Sequence, residues 1–292
     1  MPSYLHYEDY PYPDPISYIN QAPLSKFKTH NAPRKDNWDL WFDGAYERKS
    51  VLVVGCGTTE AIFIAAQEPM LSITGIDPSA SSIEISEKLA KSEGIKDIKF
   101  INTPLELFES EQFDAIICSG VLHHIKDVDI FVSKLRSLCK TGSMVSVMVY
   151  GNQVRKHLID FCHFLKTIGV EPDKKGIDFV RHLIESLNKG HPIRAFYETA
   201  NKTDSQIADT WLHTYFKQYS ASELIDAVER HNFKFSRWIN KAPFTPSLFD
   251  KLPKKFSEFS ERFISLKDKD QYDINQILNF SDAKITGAFK AI

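Results

Sequence analysis

The chain has 292 residues, 42% of them hydrophobic and 25% charged, with a formal net charge of −2. This composition is typical of a globular protein large enough for one α/β domain with an insertion. The balance of 36 basic and 38 acidic residues gives no overall charge to attract nucleic acid or membranes, so we expect neither partner. The four cysteines lack metal-ligand spacing, which predicts free, mostly buried thiols and no metal site. With no signal-like or membrane-length apolar run, we expect a cytoplasmic protein.

Residues 1–36 form a lead segment interrupted by prolines and tyrosines, which predicts loop structure with one short helix near residues 16–20. The segment either folds over a ligand site as a lid or lies on the surface as a tail. Its lid candidates are the tyrosines Tyr4, Tyr7, Tyr10 and Tyr12. A helix capped by Asp36 or Asn37 and running through Trp38 to Tyr46 is expected next.

Residues 37–151 alternate between apolar runs typical of buried parallel strands and stretches with helical periodicity. This alternation predicts a doubly wound, mostly parallel α/β sheet. The expected strands are Ser50–Val54, Leu71–Ile76, Lys99–Ile101, Phe113–Cys118 and Ser143–Tyr150, and the expected helices between them are Thr59–Gln67, Ser79–Ser92 and Val128–Leu138.

Residues 152–218 break this rhythm with helical patterns alone, at Gln153–Ile168, Ile177–Asn188 and Asp204–Tyr215. We interpret them as a helical insertion that forms either a substrate region or the interface of a homodimer.

Residues 219–292 return to the core. Ser220 and Glu223 have capping-box spacing at the start of a helix. After that helix we expect a strand, two amphipathic helices and a closing strand, at Phe233–Ile239, Phe249–Leu266, Asp273–Phe280 and Lys284–Ala291.

A glycine turn joins the first strand to its helix. Gly55 and Gly57 allow a tight turn and a close approach of a ligand to the main chain. Asp77 follows about 20 residues later at a strand end, where a carboxylate accepts hydrogen bonds from a ribose diol. A dinucleotide fingerprint requires Gly or Ala where this chain has Glu60, whose charge would repel a pyrophosphate. The turn therefore favours a nucleoside with a sulfonium and an amino acid tail, and disfavours an NAD-type oxidoreductase.

Val53–Glu60 and Gly75–Ser79 resemble the first two motifs of the class I S-adenosylmethionine-dependent methyltransferases, and Phe113–His124 resembles the fourth. The resemblance implies a seven-stranded sheet with the helical insertion after the fifth strand, S-adenosylmethionine as cofactor and S-adenosylhomocysteine as product. One departure is Thr58-Thr59-Glu60, where many members keep another glycine. The cofactor-binding residues that the resemblance implies are Val54, Gly55, Cys56, Gly57, Asp77, Pro78, Thr103, Pro104, Leu105, Ser119 and Gly120.

A second resemblance lies at the end of the insertion. Asp209–His213 and Tyr219–Leu224 are similar to stretches of bacterial methyltransferases with helical insertions, protein-lysine methyltransferases among them. Because function is grafted onto such folds by their insertions, we leave the acceptor open as a small molecule or a protein.

Methyl transfer needs a base only when the nucleophile arrives protonated. The expected catalytic residues are His124, His123 and Tyr150 at the strand ends, with His213 and Tyr215 as further candidates in the insertion. Each has a structural alternative as a satisfied loop, helix or wall residue. We therefore expect a methyltransferase, with a catalytically silent S-adenosylmethionine-binding regulatory protein as the alternative.

Overall fold

The computed structural model describes residues 6–14, 35–42, 47–153, 155–199, 202–213, 215–239, 249, 252–278 and 283–292. One seven-stranded sheet has the order β3-β2-β1-β4-β5-β7-β6. Its strands are β1 Ser50–Val54, β2 Ser72–Asp77, β3 Ile98–Asn102, β4 Phe113–Ser119, β5 Cys139–Tyr150, β6 Phe233–Trp238 and β7 Lys284–Ala291. The first five strands pair in parallel, and β7 runs antiparallel between β5 and β6. The predicted mostly parallel seven-stranded sheet is confirmed.

Helices cover both faces of the sheet and form the insertion. They are α1 His6–Asp9, α2 Lys35–Phe42, α3 Glu60–Gln67, α4 Ala80–Ser92, α5 Val128–Ser137, α6 Lys156–Thr167, α7 Lys174–Ser186, α8 Pro192–Thr199, α9 Asp204–Trp211, α10 Ala221–Glu229, α11 Ser257–Ile264 and α12 Asp268–Leu278. Single 3₁₀ turns occur at Leu105–Leu107, Leu122–His124 and Lys254–Phe256. Helices α6 to α9 follow β5, which confirms the position predicted for the insertion.

Side chains of the central strand alternate between two hydrophobic cores, as the two-residue period of a strand requires. Val51 and Val53 pack into the core that contains Trp38, and Leu52 and Val54 pack into the core on the other face. The insertion has a third core of its own, formed by residues of α6 to α9 and contacted by Tyr10 of the lead segment. The insertion is therefore a self-packed helical layer attached at the end of β5.

Capping side chains set the first residues of several helices. Ser79 caps α4 by accepting a hydrogen bond from the Ser82 N–H at 3.1 Å, and Ser220 with Glu223 forms the predicted capping box of α10. Helix α7 begins at Lys174, earlier than Ile177, because Asp173 accepts a hydrogen bond from the Gly176 N–H at 2.7 Å.

Other boundaries differ from the prediction because tertiary contacts decide them. Helix α8 gave no clear periodic signal in the sequence, but Ile193 and Tyr197 bury its inner face in the core of the insertion. Helix α9 ends at Trp211 instead of Tyr215, since the chain turns there to bring His213 against other aromatic rings.

Strand β5 begins at Cys139, four residues before the predicted start at Ser143, because Cys139 pairs with Phe113 of β4. The C-terminal helices α11 and α12 are also shifted relative to the prediction. The short helix expected near residues 16–20 and the end of the helix at Tyr46 lie outside the described residues.

All four cysteines are buried and free, and the prediction of free, mostly buried thiols is confirmed. Within the part of the chain that the structure describes, no helix combines the length and the apolar character needed to cross a bilayer.

Candidate functional site

The glycine turn between β1 and α3 has a backbone that only glycine adopts without strain. Gly55 and Gly57 have φ values of +62° and +54°. A Cβ at Gly55 would collide with the Val121 side chain, and one at Gly57 would lie 2.5 Å from the Tyr12 carbonyl oxygen. The turn therefore needs both glycines, for its conformation and for the close approach of neighbouring atoms.

Asp77 fastens this turn to the next strand. Strands β1 and β2 pair in register, with Val54 opposite Ile76, so that Asp77 ends beside the turn. The Gly57 and Ser79 N–H groups each donate to a different Asp77 carboxylate oxygen at 2.9 Å. Burial raises the Asp77 pKa to about 6, and the two N–H donors oppose that rise. A carboxylate with two occupied lone pairs still has two free for a diol.

The loops after β2 and β3 meet beside Asp77. The Asn102 side-chain amide donates to the carbonyl oxygens of Asp77 and Pro78 at 3.0 and 2.9 Å. The Thr103 N–H donates to the Asp77 carbonyl oxygen at 3.0 Å. Pro104 follows and is half-buried, whereas the side chain of Leu105 is buried in the hydrophobic core. These loops therefore bring the residues expected at the adenine to one edge of the sheet.

Buried polar atoms without partners lie at the ends of β4 and the glycine turn. The Ser119 hydroxyl and Glu60 Oε1 have no hydrogen-bond partner among the described residues. Burial raises the Glu60 pKa to about 7, and the nearby Ser119 hydroxyl and Lys284 oppose that rise. Ser119 and Glu60 are therefore close to each other, although neither Ser119 Oγ nor Glu60 Oε1 has a partner in hydrogen-bonding geometry among the described residues. Unsatisfied buried groups are costly, and a ligand with a polar, ammonium-bearing tail would satisfy these two. The site thus fits S-adenosylmethionine, and Glu60 is a candidate contact that the sequence analysis used only as an argument against pyrophosphate.

The other residues of the predicted cofactor set lie around the same turn. Val54 and Cys56 are buried in the cores beneath it. Gly120, with φ of +75°, turns the chain after β4, and its N–H donates to the Met148 carbonyl oxygen at 3.1 Å. The predicted set therefore lies at the carboxyl ends of β1 to β4.

The three predicted catalytic residues form one ring cluster at the ends of β4 and β5. The His123 ring centroid lies 4.1 Å from that of His124 and 4.4 Å from that of Tyr150. His213 from the insertion stacks on His124 with ring centroids 3.6 Å apart. His123 is fully buried, and neither of its ring nitrogens has a partner among the described residues. His124, in contrast, lines a cavity.

The hydrogen bond of His124 defines its tautomer. Its Nδ1 lies 3.0 Å from the Tyr215 carbonyl oxygen, which can only accept, so Nδ1 carries the proton. The Nε2 atom therefore holds a free lone pair. Burial lowers the His124 pKa to about 4, with His6 and Arg155 lowering it further against the effect of the Tyr215 carbonyl. His124 is thus a neutral imidazole at pH 7, ready to accept a proton at Nε2.

The cavity beside His124 lies between the end of β5 and the insertion helices α6 and α9. Within it, the Arg155 guanidinium carbon lies 3.4 Å from the Tyr150 ring centroid. No motif marks Arg155, and the stretch that begins at Asp209 resembles other methyltransferases without indicating a role for this carboxylate; only the docking of the insertion brings both residues to the strand ends. The cavity is lined by His124, Tyr150, Arg155, Leu158, Ile159, Asp209, Thr210 and Phe216.

Residues 6–14 of the lead segment lie across both parts of the site. The Thr58 hydroxyl donates to the Pro13 carbonyl oxygen, and the Ser79 hydroxyl donates to the Tyr7 carbonyl oxygen at 3.0 Å. Glu8 accepts hydrogen bonds from the N–H groups of residues 80 and 81 at the start of α4, at 2.8 and 3.1 Å. On the other side, the Tyr7 hydroxyl donates to Asp209 at 2.7 Å. The segment therefore connects the glycine turn with the insertion.

The chain is similar in sequence to known methyltransferases. Residues 52–145 match the family model described as a methyltransferase domain. An uncharacterized protein of Synechococcus sp. is 24% identical, over 91% of this chain and 70% of the relative. The ubiquinone biosynthesis O-methyltransferase of Brucella ovis is 25% identical, over 68% of this chain and 77% of the relative.

Among solved structures, the fold is similar to that of PKMT2 from Rickettsia typhi. The complex of PKMT2 with AdoHcy has a TM-score of 0.63 and 15% identity, covering 84% of this chain and 49% of that one. A second PKMT2 structure has a TM-score of 0.64 and 14% identity, covering 100% of this chain and 53% of that one. This chain thus spans about half the length of PKMT2, and the likeness shows the fold. The match to a methyltransferase domain covers residues 52–145, and the strand order and glycine motif of the chain resemble those of the class I S-adenosylmethionine-dependent methyltransferases.

Proposed function

We propose that this enzyme methylates an acceptor that enters the cavity beside His124 and arrives with a proton on its nucleophilic atom. The observation that carries the proposal is the neutral His124 imidazole, whose Nε2 lone pair carries no proton and which lines a cavity between the end of β5 and the insertion. When bound, S-adenosylmethionine supplies a methyl group already activated by a positively charged sulfur. The protein then has to orient the acceptor, exclude water and remove one proton.

In this proposal the cofactor lies along the carboxyl ends of β1 to β4. Asp77 accepts hydrogen bonds from the ribose, and Glu60 with Ser119 binds the polar end of the methionine part, where both have unsatisfied buried atoms. The remaining contacts come from the residues that the family resemblance implies: Val54, Gly55, Cys56, Gly57, Pro78, Thr103, Pro104, Leu105 and Gly120.

His124 acts as the general base and Tyr150 as a wall of the acceptor cavity. His123 is enclosed between the two rings and has no access to solvent, so its part is to position them. His213 holds His124 from the other side by stacking, and its Nδ1 accepts a hydrogen bond from the Tyr215 N–H at 3.3 Å. Tyr215 contributes through its backbone, whose carbonyl fixes the His124 tautomer.

A labelled-methyl assay tests the proposal. The purified protein is incubated with methyl-labelled S-adenosylmethionine and a cell extract separated into protein and small-molecule fractions. We expect label in one fraction and thermal stabilisation of the protein by S-adenosylhomocysteine. Stabilisation without label in either fraction would support the silent regulatory alternative. Stabilisation by a nicotinamide dinucleotide but not by S-adenosylhomocysteine would contradict the cofactor site.

We further propose that residues 6–14 act as a lid that slows product release, with Tyr7 and Asp209 as its fastening. Tyr7→Phe removes one hydrogen bond and leaves a half-buried carboxylate without its donor, a loss of about 1 kcal/mol. We therefore expect S-adenosylhomocysteine to dissociate roughly five times faster, measured by surface plasmon resonance. Tyr10→Phe, on the same segment, is the matched control and should leave the dissociation rate unchanged. Equal rates in parent and Tyr7→Phe would make the segment a surface-packed tail.

A further inference from the structure

We infer that the acceptor carries an anionic group, a carboxylate or a phosphate, and that the Arg155 guanidinium binds it. The inference rests on the proposed function, because it identifies the cavity beside His124 as the acceptor site. It adds a residue that determines specificity and a chemical class of substrate.

Aromatic rings hold Arg155 in place. Its guanidinium carbon lies 3.4 Å from the Tyr150 ring centroid and 5.6 Å from the Phe196 ring centroid. Stacking engages the flat face of the guanidinium, whereas its five N–H donors point outward in the plane. Tyr150 thus fixes the orientation of Arg155. Burial raises the Tyr150 pKa, and the interaction of the Tyr150 hydroxyl with the guanidinium opposes that larger effect. The remaining donors are those that an oxygen-bearing group could use.

At least one of those donors lacks an acceptor. The Arg155 Nε–H is buried and has no hydrogen-bond partner among the described residues. Arginines elsewhere in the insertion are satisfied: Arg181 pairs with Asp178 and Asp204, and Arg194 donates to two backbone carbonyl oxygens. A buried donor without an acceptor is unfavourable, and at a cavity wall it marks the position of a ligand's oxygen.

Asp209 lines the same cavity and interacts with Arg155 through its charge, but the two form no close ion pair among the described residues. One of its carboxylate oxygens accepts the Tyr7 hydroxyl at 2.7 Å. Burial raises the Asp209 pKa to about 6, and the effect of Arg155 is smaller than those of burial and of Tyr7. The nearby histidines are neutral, because burial lowers the pKa of His123, His124 and His213. At pH 7 the Asp209 carboxylate is mostly ionised and offsets part of the Arg155 charge, but the buried Arg155 Nε–H has no acceptor among the described residues. An anionic group of the acceptor would supply that acceptor.

The other residues that line the cavity indicate the chemical nature of the rest of the acceptor. Leu158, Ile159, Tyr150 and Phe216 line the cavity with apolar and aromatic surface. His124 and Arg155 line the same space, so one occupant can contact both. A small hydroxylated acid with a flat apolar body matches this arrangement, with the hydroxyl toward His124 Nε2 and the anion on Arg155. In the transfer, the acceptor oxygen forms a bond to the methyl carbon as the sulfur–methyl bond breaks, and the hydroxyl proton passes to His124.

Calorimetry on the full chain saturated with S-adenosylhomocysteine tests the inference. The probes are benzoate, phenyl phosphate and the neutral isostere benzamide. We expect at least one anionic probe to bind, with benzamide about tenfold weaker or worse, since hydrogen bonds to charged groups are the stronger ones. Preference for benzoate would identify a carboxylate, and preference for phenyl phosphate a phosphate.

Variants distinguish a specific role of Arg155 in anion binding from a general effect of positive charge on the surface. Arg155→Gln should weaken the anionic probe about tenfold or more, and Arg155→Lys should weaken it less because the charge remains. Lys156→Gln, which removes one exposed positive charge at the next residue, is the matched control and should change binding less than twofold. All three variants should bind S-adenosylhomocysteine like the parent, which also shows that they fold.

Equal affinity for benzoate and benzamide, or unchanged anion binding in Arg155→Gln, would overturn the inference. Failure of both anions to bind a protein that does bind S-adenosylhomocysteine would also overturn it. A protein that does not bind S-adenosylhomocysteine at all would instead count against the proposed function.

Discussion

His124→Ala is expected to slow methyl transfer by roughly 10²–10⁴-fold, the usual contribution of a general base, with little change in S-adenosylhomocysteine affinity. The reason is the free Nε2 lone pair on a ring whose Nδ1–H is held by the Tyr215 carbonyl oxygen. His124→Asn is the more conservative variant, since its amide nitrogen can donate to that carbonyl but cannot accept the proton. Single-turnover assays with labelled cofactor measure the effect directly.

The matched control is His182→Ala, which removes an exposed histidine of α7 and should leave turnover unchanged. If His124→Asn turned over as fast as the parent, His124 would be a structural residue and the acceptor would arrive already deprotonated. An effect confined to His124→Ala would point the same way, because only the alanine variant loses the contact with Tyr215.

The low pKa of His124 depends in part on Arg155 and so relates the proposed base to the proposed anion site. Burial is the main cause of the fall to about 4, but Arg155 contributes to it. Other titratable groups around the ring are His6, His123 and His213, and the ring shares the cavity with Asp209. An anion on Arg155 would cancel part of its effect and raise the His124 pKa in the complex, which makes His124 a better base only when the acceptor is bound.

Asp77→Ala is expected to weaken S-adenosylhomocysteine binding by about 1–3 kcal/mol, the cost of leaving buried ribose hydroxyls without an acceptor. Part of the loss is indirect, because Asp77 also holds the Gly57 and Ser79 N–H groups that shape the turn. Calorimetry measures the affinity, and Asp97→Ala, at an exposed carboxylate before β3, is the control. An unchanged affinity in Asp77→Ala would remove Asp77 from the cofactor site.

The affinity of the parent should depend on pH through the same group. Burial raises the Asp77 pKa to about 6, so the carboxylate that accepts the ribose hydroxyls is present above that pH and is lost as the pH falls through it. S-adenosylhomocysteine should therefore bind progressively more weakly below about pH 6. Glu60, with a pKa of about 7, adds a dependence of its own. Both the parent and Asp77→Ala keep Glu60, so the contribution of Glu60 cancels when their S-adenosylhomocysteine affinities are compared at each pH. If the affinity difference between the two proteins stayed constant from pH 5 to 8, the prediction would be contradicted.

The sheet and the cofactor turn were readable from local sequence, because the forces that specify them act over a few neighbouring residues. The run from Ser50 to Val54 is apolar on both faces and becomes the central strand β1, with the predicted bounds. The closing strand Lys284–Ala291 also has its predicted bounds. Gly55 and Gly57 signal positive φ through residue type alone, and the Ser220 capping box needs only a three-residue spacing.

The cavity beside His124, which is the proposed acceptor site, depends on tertiary structure. Tyr7 and Asp209 are 202 residues apart in sequence and meet only because the lead segment and the insertion both lie against the ends of the strands. Arg155 has no motif, and its unsatisfied Nε–H exists only once α6 is docked beside Tyr150. The sequence by itself determined the glycine turn and the strand-end carboxylate of the proposed cofactor site, since residue type and short spacing specify both locally. Only the folded chain decided what faces the nucleoside, because a cavity between distant segments depends on long-range packing that no short stretch of sequence encodes.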